Sequence, residues 1–194
     1  MEKIQEQYLN QIKITSDINE HIETLYNIAK ECDHITEMGV RWVSSTWAFL
    51  YSNPKKLISY DIVKNNNINE VINLSNYYNI NFIFYEQDVL KIEIEPTELL
   101  FIDTLHTYNQ LIKELDLHSK NVSKYIILHD TTTFGFVDEK VYNHASDIVK
   151  NEPKEKQGLM LAVNEFLETE LGNNWVIYKK FDNNNGLTIL KRIK

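Results

Sequence analysis

The feature that most constrains the fold of this chain is a series of short apolar runs, separated by segments long enough to form a helix. An apolar run of about four to eight residues between polar stretches is typical of a strand buried in a parallel sheet. Parallel strands need long crossover connections, and the intervening segments carry apolar residues at helical spacing, as at Tyr108, Leu111 and Leu115. The pattern therefore predicts strands and helices alternating around one parallel sheet. The predicted strands are residues 35–38, 57–61, 82–86, 99–103 and 125–130.

Helices are predicted on both sides of this strand region. Asp17 is a candidate N-cap and Glu20 completes a capping box, so residues 1–30 are predicted as an N-terminal helical extension. Residues 31–194 are predicted as one domain, because no linker rich in Pro, Gly or Ser divides them. A second helix is predicted to end before Gly172. The apolar positions are Ile18, Ile22, Leu25 and Ala29 in the first helix and Leu159, Val163, Phe166, Leu167 and Leu171 in the second.

A hairpin is predicted to complete the sheet. The runs 175–181 and 187–193 flank Asn185 and Gly186, which tolerate the positive φ of a tight turn. Residues 131–158 carry few apolar anchors and many charges, so they are predicted as a long loop over the strand ends, with room for one short helix. The sequence thus predicts an α/β fold with a doubly wound, mostly parallel sheet and a C-terminal antiparallel hairpin.

Composition limits the partners of the chain. The formal net charge is −8, from 20 Lys and Arg against 28 Asp and Glu, which argues against a nucleic acid as the main partner. Cys32 stands alone, the first residues lack the apolar core of a signal peptide, and no run approaches the roughly 18 to 20 apolar residues that span a bilayer. We therefore expect a cytoplasmic protein that uses a small molecule and no membrane. A homo-oligomer stays open.

Acidic residues end two of the predicted strands. Asp103 and Asp130 each follow an apolar run, and His106 and His129 lie beside them. Because ligands of open α/β sheets bind outside the carboxyl ends of the strands, we expect one shared pocket. Carboxylates suit a hard cation such as Mg²⁺, and a nearby histidine can accept a proton from a bound hydroxyl near neutral pH. The alternatives are helix capping for His106, and orienting Asp130 or bonding to the backbone for His129.

A second group of candidate residues follows the first three predicted strands. Gly39 permits a tight turn and close approach of the backbone to a ligand. Asp61 ends the second strand, 22 residues after Gly39, about where a nucleotide-binding fold places the acid that bonds a ribose. Asp88 follows the third strand, where it could receive a donor such as an adenine amino group. Each could cap a helix instead, but their repetition at successive strand ends favours a binding site.

The sequence resembles the class I S-adenosylmethionine-dependent methyltransferases. Residues 37–39 resemble their first motif, Asp61 their ribose acid and Asp88 their adenine-side acid. The resemblance implies S-adenosylmethionine as the cofactor. The residues implied to bind it are Glu37, Gly39, Asp61, Asp88 and Asp103.

A narrower resemblance is to the branch that contains the cephalosporin-hydroxylase-like proteins and the sugar O-methyltransferases of macrolide biosynthesis. Residues 101–108 are similar to its Phe-Ile-Asp-x-x-His-x-Tyr stretch, 127–131 to its second acidic stretch, and 185–190 to its closing segment. This implies a divalent metal, usually Mg²⁺, and methylation of a hydroxyl on a small acceptor such as a sugar. The implied residues are Asp103 and Asp130 with either His129 or water as metal ligands, and His106 as the base.

One position departs from the family pattern. The first motif usually has a second glycine four residues after the first, and here that residue is Val43. Its side chain is expected to crowd backbone that normally approaches the methionine end of the cofactor. Two other functions stay open. One is a metal-dependent hydrolase built on Asp103, His106, His129 and Asp130. The other is a non-catalytic nucleotide-binding domain whose cofactor pocket Val43 closes.

Overall fold

One sheet lies at the centre of the computed structural model, which describes residues 1–153 and 155–194. Within those residues it has seven strands, and the first five along the chain are parallel. The last two run antiparallel and form one edge, so the predicted mixed, doubly wound sheet is confirmed. The strands are β1 (His34–Met38), β2 (Lys56–Asp61), β3 (Phe82–Glu86), β4 (Thr97–Ile102), β5 (Val122–His129), β6 (Trp175–Phe181) and β7 (Leu187–Arg192).

The strand order determines where a ligand can bind. The order across the sheet is β3-β2-β1-β4-β5-β7-β6. The strands β2 and β3 lie on one side of β1, and the chain then crosses to place β4 on the other side of β1. In open α/β sheets, the crevice at such a switch point is the usual ligand site. The loops that follow β1 and β4 therefore flank the expected site.

Helices cover both faces of the sheet. They are α1 (Glu2–Lys13), α2 (Ile22–Ala29), α3 (Ser44–Tyr51), α4 (Ile68–Tyr77), α5 (Tyr108–His118), α6 (Asp147–Lys150) and α7 (Leu159–Leu167). Side chains alternate between the two faces of a strand. Along β4, Leu99 and Phe101 pack with α1 to α4, whereas Leu100 and Ile102 pack with α5 and α7. No helix within residues 1–153 and 155–194 is long and apolar enough to cross a membrane.

The N-terminal helices share the core of the sheet. Ile4 of α1 and Ile22 of α2 are fully buried in the same apolar cluster as Leu99. Residues 1–30 are thus helical in large part, as expected, and the division of the chain at residue 30 stays a prediction.

The predicted capping box before α2 is wrong. The helix begins at Ile22, after a short 3₁₀ turn, and the carboxylate of Asp17 pairs with Arg41 at 3.7 Å. The backbone N–H of Glu20 instead donates to the Asn184 side chain at 3.0 Å, from the turn between β6 and β7. A tertiary contact thus replaces the local cap.

The C-terminal elements agree with the prediction except at one helix end. Helix α7 ends at Leu167, earlier than predicted, because the Thr169 hydroxyl and backbone N–H both donate to the Phe166 carbonyl. The hairpin turn has the expected positive φ at Asn185 and Gly186. The loop after β5 contains one short helix, α6, as expected.

Candidate active site at the strand ends

A cavity of about 490 Å³ lies across the carboxyl ends of the parallel strands. It covers the switch point between β1 and β4 and extends over the ends of β2 and β3. Two predicted site residues, Glu37 and His129, are buried beside it and do not line it. The predicted residues that do line it are Gly39, Asp61, Asp88, Asp103, His106 and Asp130.

Gly39 allows the loop after β1 to approach the end of β4. Its φ is +85°, and a Cβ there would lie 1.9 Å from the carbonyl oxygen of Asp103. The backbone N–H of Asp103 donates to Met38 at 2.8 Å. The glycine is therefore required by the backbone of Asp103, in addition to any ligand, and it fixes the position of that aspartate.

The loop between β1 and α3 contains a left-handed valine. Val43 has a φ of 62°, which is rare for a β-branched residue and indicates local strain. Its side chain is 4% exposed, belongs to the apolar core and does not line the cavity. The side chain therefore does not close the cavity, contrary to that expectation, although its backbone has the conformation that favours glycine.

Asp61 holds this loop in place. Its Oδ2 accepts hydrogen bonds from the backbone N–H groups of Val40 at 2.8 Å and Arg41 at 3.0 Å, and its Oδ1 accepts from Val63 at 3.0 Å. An ionised carboxylate has about four acceptor positions. Asp61 can thus bind a ligand hydroxyl in the cavity while it orders the loop.

Asp88 precedes a short 3₁₀ helix after β3, at the same edge of the sheet as Asp61. Its Oδ1 accepts from the backbone N–H of Leu90 at 3.1 Å, and Lys91 lies 3.3 Å from its Oδ2. The capping role and the position on the cavity wall therefore occur together in Asp88.

Glu37 lies beneath the loop. It is fully buried and accepts hydrogen bonds from Ser45 at 2.6 Å, Thr46 at 2.9 Å and Ser59 at 2.6 Å. Burial raises its pKa to about 7, against the effect of these hydrogen bonds. Glu37 holds the start of α3 in place. The sequence predicted that it binds the cofactor, but it does not line the cavity.

Asp103, His129 and Asp130 form a cluster that could hold a metal ion. One donor atom from each lies within 4.8 Å of the others, and His129 Nδ1 is 3.4 Å from Asp103 Oδ1 and 3.1 Å from Asp130 Oδ2. Asp130 has a φ of 59°. Its Oδ1 is buried and has no hydrogen-bond partner among the described residues, which is costly unless a ligand binds it.

The orientation of His129 also supports a cation at this cluster. Its Nε2 is 3.1 Å from the backbone carbonyl oxygen of Asp17, which can only accept, so Nε2 carries a proton. Nδ1 therefore faces two carboxylates and needs either a proton or a cation there. Burial opposes a charge on the ring, but Asp103 and Asp130 raise the pKa of His129 well above its ordinary value.

His106 lies between three carboxylates. Its Nε2 is 3.2 Å from Asp103 and 3.0 Å from Asp130, and its Nδ1 is 2.9 Å from Glu139. Burial opposes its charge, but the hydrogen bond to Asp103 and the contact with Glu139 raise the pKa to about 10. With both aspartates ionised and no cation beside them, His106 is therefore protonated at neutral pH, and its role as the base stays a prediction.

The two histidines lower the pKa of Asp103 in turn. Burial would raise the pKa of its carboxyl, but the cationic His129 and the hydrogen bond from His106 hold the pKa well below the ordinary value.

Glu139 was not identified from the sequence, because it lies in a charged loop without motif or periodicity.

Comparisons with known proteins bear on the fold. No protein-family model matches the chain, and no curated protein matches it. The chain is similar to the N-methyltransferase NodS from Bradyrhizobium japonicum WM9, solved with S-adenosyl-L-homocysteine, at 11% identity and a TM-score of 0.63, over 100% of this chain and 98% of NodS. This chain has a methyltransferase fold.

Two further structures support that conclusion. A putative caffeoyl-CoA O-methyltransferase from Staphylococcus aureus is 17% identical, with a TM-score of 0.56, over 95% of this chain and 96% of that one. An rRNA methylase from Escherichia coli is 12% identical, with a TM-score of 0.56; 91% of this chain matches 65% of that one. At these identities the likeness establishes the class I methyltransferase fold, and the narrower branch stays a prediction.

Proposed function

We propose that the chain is an S-adenosylmethionine-dependent methyltransferase that methylates a hydroxyl of a small acceptor, such as a sugar, with the help of a divalent metal. The observation that carries the proposal is the extent of the cavity. It joins the ends of β2 and β3, where Asp61 and Asp88 lie, to the cluster at the ends of β4 and β5. A cofactor and an acceptor need adjoining sites of this kind.

The cavity wall has groups suited to the cofactor. Asp61 would accept from the ribose hydroxyls and Asp88 from the adenine amino group, while the backbone at Gly39 passes close to the ligand. Bound S-adenosylmethionine would supply a methyl group on a cationic sulfur, and the sulfur would leave as an acceptor oxygen attacks the methyl carbon in line. The carboxylates at the strand ends favour a cationic ligand in the cavity.

The cluster fits a divalent cation. Asp130 offers a buried, unpaired Oδ1, and His129 turns Nδ1 toward both aspartates because Asp17 holds Nε2. Two carboxylates suit Mg²⁺ or Mn²⁺ when water completes the shell, whereas an imidazole ligand favours softer divalent cations such as Fe²⁺ or Zn²⁺. Asp103, Asp130 and His129 would hold the ion, which lowers the pKa of a bound hydroxyl.

His106 then takes the acceptor's proton. Its Nε2 faces Asp103 and Asp130, so neutralising those carboxylates removes much of the charge that raises the pKa of the ring. The lone pair on Nε2 accepts the proton as the acceptor oxygen attacks. The protein mainly positions the two reactants.

The two other functions have weaker support. A metal-dependent hydrolase would use Asp103, His106, His129 and Asp130 but leave the cavity beside Asp61 without a role. A non-catalytic domain was expected if Val43 closed the pocket, and that side chain lies in the core.

An assay with methyl-labelled S-adenosylmethionine tests the proposal. We expect S-adenosylhomocysteine to form with Mg²⁺ and a member of a panel of neutral sugars and catechols, and His106→Ala to lower turnover by about 10²- to 10⁴-fold. The exposed variant Glu168→Gln is the control. Metal-dependent hydrolysis of ester or phosphoester substrates without S-adenosylmethionine, lost in the same variant, would establish the hydrolase instead.

Magnesium titration separates base from ligand without an acceptor. Asp103→Asn should lose magnesium binding, whereas His106→Ala should keep it. Equal loss in both variants would make His106 a ligand and refute its role as the base. Unchanged binding in both would place the metal site elsewhere.

A further inference from the structure

Glu139 brings a carboxylate from the loop after β5 to the strand ends. Its Oε2 lies 2.9 Å from Nδ1 of His106, its side chain is 14% exposed, and it lines the cavity. No sequence motif marks this residue, and it is not among the proposed ligands of the cofactor or the metal.

The backbone fixes Glu139 against the residues before α5. Its N–H donates to the carbonyl of His106 at 2.9 Å, and its Oε2 also accepts from the N–H of His106 at 3.3 Å. The neighbouring Asp138 accepts from Tyr108 at 2.9 Å and Gly158 at 2.8 Å. The Tyr142 hydroxyl donates to Oε1 of Glu139. Both carboxylate oxygens are therefore held in place.

The two ring nitrogens of His106 face opposite groups. Nε2 faces Asp103 and Asp130, and Nδ1 faces Glu139. The ring also stacks on Phe134, with centroids 5.0 Å apart and planes 8° apart, which limits its rotation. Nδ1 makes no hydrogen bond within the described residues although Oε2 is 2.9 Å away, and catalytic hydrogen bonds of this kind commonly align only when reactants bind.

We propose that Glu139 is a positioning residue that accepts the Nδ1–H of His106 and so keeps Nε2 as the nitrogen that takes the acceptor's proton. This inference rests on the proposed methyltransferase function. The proton leaves the acceptor hydroxyl for Nε2, the oxygen forms a bond to the methyl carbon, and the sulfur departs with the electron pair.

The geometry explains why Glu139 is needed. Asp103 and Asp130 both favour a proton on Nε2, and a protonated Nε2 cannot act as a base. A carboxylate on the far side of the ring favours the opposite tautomer, and a hydrogen bond to one nitrogen generally decides which nitrogen is free. Among groups near His106, Glu139 is the carboxylate on that side.

The tautomer of His106 can be read by long-range ¹H–¹⁵N NMR on protein loaded with Mg²⁺ and S-adenosylhomocysteine. We expect the wild type to carry the proton on Nδ1. Glu139→Ala should shift it to Nε2, and Glu139→Gln should restore the wild-type state, because the amide oxygen still accepts. Glu152→Ala is the matched control, since Glu152 joins the same loop to α5 through Lys113 at 2.9 Å without contacting His106.

Two results would overturn the proposal. One is an unchanged tautomer in Glu139→Ala, and the other is an equal change in Glu152→Ala, which would reduce Glu139 to anchoring the loop. If calorimetry shows that neither ligand binds the wild type, the methyltransferase function fails separately. The same variants are then compared without ligands, where exchange of the Nδ1 proton with water should be slow in the wild type and fast in Glu139→Ala; equal rates would overturn the contact.

Discussion

The imidazole of His129 donates through Nε2 to the carbonyl oxygen of Asp17, across 3.1 Å. This contact joins the end of β5 to the segment before α2, and it fixes Nδ1 toward Asp103 and Asp130. The segment is in turn held by Asn184, whose side chain donates to Ser16 at 2.8 Å and accepts from Glu20 at 3.0 Å. The hairpin turn thus supports the candidate metal cluster from a distance.

Removing that support should weaken metal binding. Asn184→Gly keeps the positive φ of the turn and deletes the side chain, so Asp17 is held less firmly and His129 is oriented less well. We expect magnesium affinity to fall roughly 10-fold, at the low end of the effect of outer-shell partners. Calorimetry beside the exposed control Asp182→Ala tests this. Equal affinities in the two variants would show that the turn does not support the site.

The left-handed backbone of Val43 predicts an inverted order of stability. Replacement by Ala removes two buried methyl groups and replacement by Gly removes the Cβ as well, but only Gly relieves the strain at a φ of 62°. The free energy of unfolding measured with urea should therefore be about 1 kcal/mol higher for Val43→Gly than for Val43→Ala. The matched pair is Val71→Gly and Val71→Ala in α4, where Ala should be the more stable. If both pairs show the same order, Val43 is not strained.

Glu114 predicts a pH dependence of stability. It is fully buried in α5, where it accepts from Thr104 and Gln110 at 2.7 Å each. Burial raises its pKa to about 7, although these hydrogen bonds oppose the shift and the nearby His106 lowers it. The folded state therefore binds a proton that the unfolded state has lost above about pH 4.5, and this stabilisation is lost as the pH rises through about 7.

Glu114→Gln removes that slope. Relative to the wild type, its free energy of unfolding should rise between pH 5 and pH 8, by on the order of 1–3 kcal/mol. Urea unfolding across this range measures the difference, and the exposed variant Glu168→Gln should follow the wild type. A difference that is constant with pH would mean that Glu114 is ionised in the folded state.

Local patterns were sufficient for the sheet and the strand ends. The apolar runs before Asp103 and Asp130 are buried strands, and their parallel pairing brings those aspartates together at one edge. The Asn185–Gly186 turn follows from backbone preference alone. These features depend on neighbours in sequence, and so the sequence predicts them.

Long-range contacts account for what the sequence did not predict. Asp17 does not cap α2 because Asn184, from the other end of the chain, supplies the acceptor. Glu139 reaches His106 from a loop whose path depends on backbone contacts with the residues before α5. Val43 lies in the core with a left-handed backbone, which its residue type does not predict.

Binding of S-adenosylhomocysteine, measured by calorimetry with the wild type and Asp61→Ala, tests the proposed function most directly. We expect the wild type to bind, and Asp61→Ala to bind more weakly by roughly 1–3 kcal/mol, because ligand hydroxyls and the N–H groups of the loop lose their acceptor. Glu86→Ala, at the end of β3, should bind as the wild type does. No binding by the wild type would contradict the methyltransferase function, and unchanged affinity in a folded Asp61→Ala would remove Asp61 from the cofactor site.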